Sequence, residues 1–231
     1  HYEQAGDTDR TIEFLQKAAD FARSNYQNQL ALDLYERLLA KPVKDRDNPE
    51  KVRIQLSRGQ VLEIVGRWEE SLAVYREAQH LAKRSRDVIL LGKANSRLGH
   101  LLMLRGRYEE AMQFLQIASG LFESIDDPLG IAKVYGHLGL LYFRRAKYNQ
   151  ALDYFQRSME TGFSQVGTTN GAEIVSYLGL TYMNQGEYQQ GIELIKNQIP
   201  LHEANQDSMG LANLHVNLGI IFFESGDDMA A

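Results

Sequence analysis

The chain has 231 residues, of which 44% are hydrophobic and 24% charged, a balance typical of a folded domain rather than of a disordered segment. It carries 25 basic and 30 acidic residues, and no dense basic patch of the kind that binds nucleic acid. It has no cysteine, which excludes disulfide bonds and thiol nucleophiles and favours a cytoplasmic location. No apolar run reaches the length of a membrane span. We therefore expect neither nucleic acid nor a membrane among its partners.

In chain order, the first predicted elements are a helix pair followed by a linker, over residues 1–49. Apolar residues recur at helical spacing over about residues 8–24 and again over about 27–40. Residues 41–48 follow as an irregular stretch that two nearby prolines keep out of a helix. This pair forms a degenerate repeat, because it lacks the Leu-Gly signature that organises the rest of the chain.

From about residue 50 onward, the sequence repeats at an interval of 40 residues. The pair Leu98-Gly99 returns as Leu138-Gly139, Leu178-Gly179 and Leu218-Gly219. The interval predicts repeats over about 50–87, 88–127, 128–167, 168–207 and 208–231, the last of them truncated. Because the pattern begins and ends inside elements, we expect the sequence to be a segment of a longer protein.

Each repeat predicts two helices joined by a tight turn. Leu98, Gly99 and Leu102 share one face of a first helix, and a glycine in mid-helix indicates that a neighbouring helix approaches closely. Gly106 is typical of a C-terminal cap in the left-handed region. Aspartates recur just before first helices, as Asp87, Asp127 and Asp207, where they predict N-caps.

This frame resembles the tetratricopeptide repeat, a helix-turn-helix unit whose usual period is about 34 residues. The matching features are the Leu-Gly pair, the Gly-x-Tyr turn, the aromatics at Tyr142 and Tyr182, and the small residues Ala151 and Ser158 on a second helix. The longer period resembles members found in large multidomain signalling and regulatory proteins. The resemblance implies an all-α fold: an α-solenoid of antiparallel helix pairs, forming one continuous right-handed superhelix over residues 1–231.

Catalytic and cofactor motifs are missing from the sequence. It contains no phosphate-binding glycine loop, no His-Glu-x-x-His pair and no cysteine, and its glycines follow the repeat instead of clustering. We predict that this segment has no catalytic residues, no metal site and no cofactor. An ATPase, cyclase or kinase domain elsewhere in a parent protein is compatible with this prediction.

The resemblance further implies that the first helices line a concave face. Counting from each helix glycine, we predict that positions two and three before, and one, four and five after, point into it. The predicted partner-binding residues are Lys93, Arg97, His100, Lys133, His137, Leu140, Phe143, Arg144, Tyr177, Leu180, Met183, Asn217 and Phe223. The earlier ones are mainly basic and the later ones mainly apolar. An equally weighted alternative is that the apolar ones pack against neighbouring helices.

We predict from this surface a protein–protein interaction module of a larger signalling or regulatory protein. It would bind a segment of a partner protein, or another domain of its own chain, in the concave groove. The alternative is a sensor that binds a peptide or a small ligand and changes its curvature. Lys93 and Arg97 match the spacing with which some family members hold a carboxylate, but Ser57 stands where those members have asparagine. A preference for acidic segments is what this partial match supports.

Overall fold

The computed structural model describes residues 8–41, 49–161 and 169–226, and within these ranges the chain is helical with no β-strand. The helices are α1 (Thr8–Ser24), α2 (Asn28–Leu39), α3 (Pro49–Ile64), α4 (Trp68–Ser85), α5 (Val88–Leu104), α6 (Tyr108–Glu123), α7 (Pro128–Arg144), α8 (Tyr148–Glu160), α9 (Thr169–Asn184), α10 (Tyr188–Ala204) and α11 (Ser208–Ser225). These bounds confirm the predicted all-α fold. Of the predicted 41–48 loop, residues 42–48 lie outside the described residues. No described helix combines the length and the apolar character needed to cross a bilayer.

The chain divides into two compact units, residues 1–121 and 122–231. Within the first unit, α1 packs on α2 and α3 on α4. Within the second, α7 packs on α8 and α9 on α10, with α11 packed on both α9 and α10. The helices of each pair are joined by turns of about three residues, so that each pair is an antiparallel hairpin. The pairing is the one that the 40-residue frame predicts.

The turn inside each pair follows one hydrogen-bonding scheme. Gly106 has φ +74° and closes α5, while the backbone N–H of Arg107 donates to the carbonyl of Leu102 at 2.9 Å. The left-handed residue and this long-range bond together satisfy carbonyls that the end of a helix leaves open. Tyr26 and Ala146 take the same conformation at the equivalent positions, with φ 56° and 55°. The predicted cap is therefore confirmed, and the turn forms even where glycine is replaced.

The glycines in the middle of first helices are contact points with the second helices. A Cβ atom added at Gly139 would lie 2.6 Å from the ring of Phe155, and one at Gly99 would lie 2.6 Å from the Leu115 side chain. Both distances are too short for real carbon atoms, so only glycine fits. Gly219 differs, because among the described residues no atom beyond its own helix backbone lies within 4 Å of its added Cβ. The predicted close approach is confirmed at the first two positions and not found at the third.

The predicted aspartate caps are also confirmed. Side-chain oxygens of Asp87, Asp127 and Asp207 accept from backbone N–H groups three residues later at 2.9, 3.0 and 3.0 Å. Each therefore satisfies one open N–H group at the start of α5, α7 or α11.

Candidate partner-binding surfaces

In the first unit, the predicted binding residues lie on one face of α5. Lys93, Arg97 and His100 are spaced by four and three residues, so they point to the same side of the helix. Lys93 is exposed, whereas Arg97 and His100 are half-buried. The structure therefore brings all three together on the side of α5 that meets α3.

A buried carboxylate from α3 organises this face. Glu63 is only 11% exposed, and its carboxylate lies 3.7 Å from the His100 ring nitrogen Nδ1. The Tyr75 hydroxyl on α4 donates a hydrogen bond to the same carboxylate. Nearby, the Gln60 side-chain amide is oriented with its oxygen toward Arg97. This oxygen accepts a hydrogen bond from Arg97 Nε at 3.1 Å. We call Gln60, Glu63, Tyr75, Arg97 and His100 the polar network.

The charge of Glu63 depends on this network. Burial is the largest single influence on its carboxyl group and raises the pKa. The neighbouring His100 ring, together with Arg97 and the Tyr75 hydroxyl, outweighs burial and holds the pKa of Glu63 below its ordinary value. The carboxylate is therefore ionised at neutral pH, and it lies beside the Arg97 and His100 side chains of α5.

Sequence reasoning missed Glu63, although a signal for it exists. It lies four residues after Gly59, a position at which the repeat frame predicts an inward side chain. The equivalent residues 40, 80, 120 and 160 positions later are Met103, Phe143, Met183 and Phe223. A lone acid among apolar counterparts marks a position whose surroundings differ from those of the other repeats.

In the second unit, side chains from α7, α8 and α9 form a groove, which we call the α7/α9 groove. It is lined by Lys133, Gly136, His137, Leu140, Phe155, Glu173, Ile174 and Tyr177. Leu140 and Ile174 are buried and provide an apolar floor, while Lys133, His137, Glu173 and Tyr177 are half-buried around it. A Cβ atom at Gly136 would collide with Ile174, so this glycine allows α9 to approach α7.

Aromatic rings extend the groove along α7. The rings of Phe143 and Tyr177 meet edge to face, with centroids 5.3 Å apart and planes at 65°. Phe143 also makes an edge contact with Tyr148, at 5.7 Å. Each ring is therefore held by a neighbour and presents its remaining surface in a fixed orientation, which lowers the entropy lost on binding.

The other predicted residues of the second unit lie apart from this groove lining. Leu180 and Met183 are half-buried against the core formed by α9, α10 and α11. Arg144 is exposed, and Phe223 is 71% exposed on α11. The Asn217 side-chain amide donates to the Asn213 carbonyl at 2.8 Å, a bond within α11. Of the predicted set, the structure thus places Lys133, His137, Leu140 and Tyr177 in one groove, with Phe143 beside it.

Sequence reasoning also missed the acid in this groove. Glu173 stands 40 residues after Lys133, at the same position of the next repeat, so the prediction of Lys133 as a binding residue was itself a signal for Glu173. The groove therefore carries both signs of charge around an apolar floor. This differs from the simple division into a basic earlier and an apolar later surface.

Two tetratricopeptide repeat models match the chain, one over residues 17–86 and the other over residues 90–161. No curated protein matches it. Together the two models cover most of α1 through α8, including α5 and α7, which carry much of the surfaces described above.

Solved structures of similar fold include two Rap proteins. A Rap protein complexed with competence and sporulation factor has 17% identity and a TM-score of 0.79, covering 95% of this chain and 65% of that one. A plasmid Rap conjugation gene regulator in complex with a Phr peptide has 16% identity and a TM-score of 0.83, covering 100% and 65%. This chain thus spans just under two thirds of the length of each. BtubC from P. vanneervenii has 18% identity and a TM-score of 0.65, covering 96% and 86%. At such identities the likeness shows the fold alone.

Proposed function

The chain belongs to the tetratricopeptide repeat family, and we propose that it binds a segment of a partner protein in the α7/α9 groove. The observation that carries this proposal is the composition of the groove: a buried apolar floor surrounded by a few polar side chains of both signs and an ordered aromatic edge. Binding sites are typically concave and mainly apolar, with a small number of polar groups that fix orientation. The proposed role is binding, with no catalytic step assigned to these residues.

The geometry favours a short segment with one apolar anchor. Leu140 and Ile174 supply apolar surface at the floor, and Tyr177 with Phe143 supplies a wall on which an apolar or aromatic side chain can pack. Lys133 and Glu173 would then contact polar groups of opposite charge on either side of that anchor. The first unit carries a separate surface on α5, where Lys93 and Arg97 would favour acidic residues of whatever binds there. Another domain of a longer parent chain would supply such a segment as readily as a separate protein.

Selection of peptides from a random display library against the whole chain tests the proposal. Affinities of the selected peptides would be measured by fluorescence anisotropy for the wild type, Tyr177→Ala, Lys133→Ala and a control, Leu129→Ala. Leu129 is also on α7 and is 56% exposed, but it does not line the groove. We expect a loss of about tenfold or more for Tyr177→Ala, a smaller loss for Lys133→Ala, and no change for Leu129→Ala. Selected peptides that bind all four proteins equally would place the site elsewhere.

The second candidate is a sensor that responds to its peptide by changing conformation. The specific observation in its favour is that the two Rap structures above are complexes, one with competence and sporulation factor and one with a peptide. Small-angle scattering with and without a selected peptide separates the candidates. A sensor changes its distance distribution on saturation, whereas a passive scaffold does not.

A further inference from the structure

The α7/α9 groove contains a carboxylate that has no counterion among the described residues. Glu173 is half-buried and lines the groove, yet no described side chain donates a hydrogen bond to its carboxylate or pairs with its charge. The two groove residues that can carry a positive charge, Lys133 and His137, already interact with other residues of the chain. A partly buried charge is costly unless it is paired, so a ligand that supplies the opposite charge at Glu173 gains a contact that the free protein lacks.

The equivalent position of another repeat shows how the chain neutralises such a charge. Glu13 stands four repeat lengths before Glu173 and has a lysine four residues further along its own helix. That lysine, Lys17, lies 2.6 Å from the Glu13 carboxylate. Four residues after Glu173, the chain has Tyr177 instead. Helix α9 therefore places an aromatic ring beside its carboxylate at the position where α1 supplies a cation.

A tyrosine ring next to a carboxylate favours a cation. Residues four apart on a helix share one face, and both Glu173 and Tyr177 line the groove. A cation between them is attracted by the carboxylate charge and by the negative face of the ring. The second unit makes a contact of this kind elsewhere, since the Arg157 guanidinium lies 4.3 Å from the centroid of the Tyr135 ring.

The apolar floor of the groove suits the stem of a basic side chain. Leu140 and Ile174 form this floor next to Glu173. Lysine and arginine bury their methylene groups along apolar surface and keep the charged group at its polar edge. An acidic side chain has a shorter stem and would bring a second negative charge toward Glu173. The groove thus offers a floor, a ring and a carboxylate, and a basic side chain can use all three.

We propose that the α7/α9 groove selects a basic side chain of the bound segment, with its charged group held between Glu173 and Tyr177 and its methylene stem on the apolar floor. This inference rests on the function proposed above and names the residue type that the groove selects. Arginine fits best, because its planar guanidinium pairs with a carboxylate and also stacks on an aromatic ring. The selected charge is opposite to the acidic preference that Lys93 and Arg97 indicate for the surface on α5.

Peptides selected from the random display library are the probes, sorted by whether Tyr177→Ala weakens their binding to the whole chain. The peptides that it weakens bind in the groove, and we expect lysine or arginine to be enriched in them relative to the unselected library. For one such peptide, Glu173→Gln should weaken binding by about tenfold or more, as expected for the loss of a hydrogen bond to a charged group. Glu160→Gln is the matched control, because it makes the same change at an exposed carboxylate on α8 that does not line the groove. It should leave the affinity unchanged.

A charge swap separates recognition of a cation from a general effect of the substitution on the groove. Glu173→Lys should weaken the same peptide more than Glu173→Gln does, because it adds repulsion. Replacing the basic residue of the peptide by glutamate should weaken binding to the wild type and restore part of the affinity for Glu173→Lys. The four affinities form a double-mutant cycle that measures the coupling between the two groups. Circular dichroism and the Tm of each variant check its fold, which should persist because Glu173 makes no polar contact with the described residues.

Failure of this proposal can be told apart from failure of the proposed function. If Tyr177→Ala weakens none of the selected peptides, the groove is not the binding site and both are overturned. If peptides bind in the groove but are not enriched in basic residues, only the charge selection is overturned. The same holds if Glu173→Gln leaves their affinity unchanged or if the charge swap restores none of it. Acetylation of the peptide N-terminus gives a last check, since binding that needs the free amine and no basic side chain would also overturn the proposal.

Discussion

The two units use the same repeat frame but place different chemistry at one inward position. Four residues after the helix glycine, the first unit has Glu63, which is held in a network with Tyr75, Arg97 and His100. The second unit has Phe143 at that position, packed edge to face on Tyr177. At this position the same frame therefore carries a polar network on α3 and an aromatic contact on α7.

This difference has a consequence for binding. In the first unit, Arg97 and His100 already interact with Gln60 and Glu63, so a partner must compete with existing contacts. In the second unit, an apolar side chain placed on Tyr177 and Phe143 removes apolar surface from water without breaking an ion pair. Taken separately, we expect the surface of the second unit to bind apolar segments more tightly and that of the first unit to select more strongly for charge.

The largest effect on stability is expected from removing the buried aromatic ring that lines the α7/α9 groove. Phe155 is fully buried, lies against Gly139 and lines the α7/α9 groove. Phe155→Ala should lower the free energy of unfolding by about 3–5 kcal/mol, through lost burial and a cavity. Urea denaturation measures the loss, and hydrogen exchange shows whether amides of the second unit carry it. Phe223→Ala, at a 71% exposed ring, is the control and should change stability by about 0.5 kcal/mol or less.

The next effect tests whether helix glycines are contact points only where a second helix packs. Gly139→Leu should push the Phe155 ring aside and destabilise the chain by about 1–3 kcal/mol, the usual cost of overpacking. Gly219→Leu makes the same chemical change at a position where, in the described part of the chain, the added Cβ has no neighbour within 4 Å beyond its own helix backbone. It should stabilise α11 by up to about 1 kcal/mol, because glycine is a poor helix former. Equal melting temperatures for the two variants would show that contact does not distinguish these sites.

The polar network should make the stability of the fold depend on pH through Glu63. Because the folded-state pKa of Glu63 is lowered, its ionised form contributes stability above the unfolded-state pKa of about 4.3. That contribution is lost as the pH falls through the lower folded-state value. Glu63→Gln removes the charge. It should therefore reduce the difference in unfolding free energy between pH 6 and a pH below the folded-state pKa of Glu63. The wild-type and variant curves should converge toward low pH. A constant gap between them at all pH values would mean that the carboxylate's charge does not stabilise the fold.

The fold could be predicted from the sequence because its determinants are local and repeated. Gly106, the aspartate caps and the helix glycines recur at a fixed interval, and where they act they act within their own helix pair or at its ends. The sites were less predictable because they depend on which side chains meet between helices. Glu63 lies at an inward position of the frame and Glu173 at the position equivalent to Lys133, but only the structure shows that Glu63 lies near His100 and that Glu173 lines the α7/α9 groove.

The smallest effect concerns the cations of the first unit. Lys93 is exposed, so Lys93→Glu should slow association with an acidic peptide by a few-fold at low salt and have little effect near 1 M salt, where the Debye length is about 3 Å. Arg97→Glu also removes a donor to Gln60 and places a second acid near Glu63, so it should weaken binding at every salt concentration and lower stability as well. Stopped-flow association and thermal denaturation of the two variants measure these effects with one selected peptide. If Arg97→Glu lost its effect at high salt, as Lys93→Glu is expected to, then the polar network would not hold Arg97 in place. The contrast between the two units would then depend on the α7/α9 groove alone.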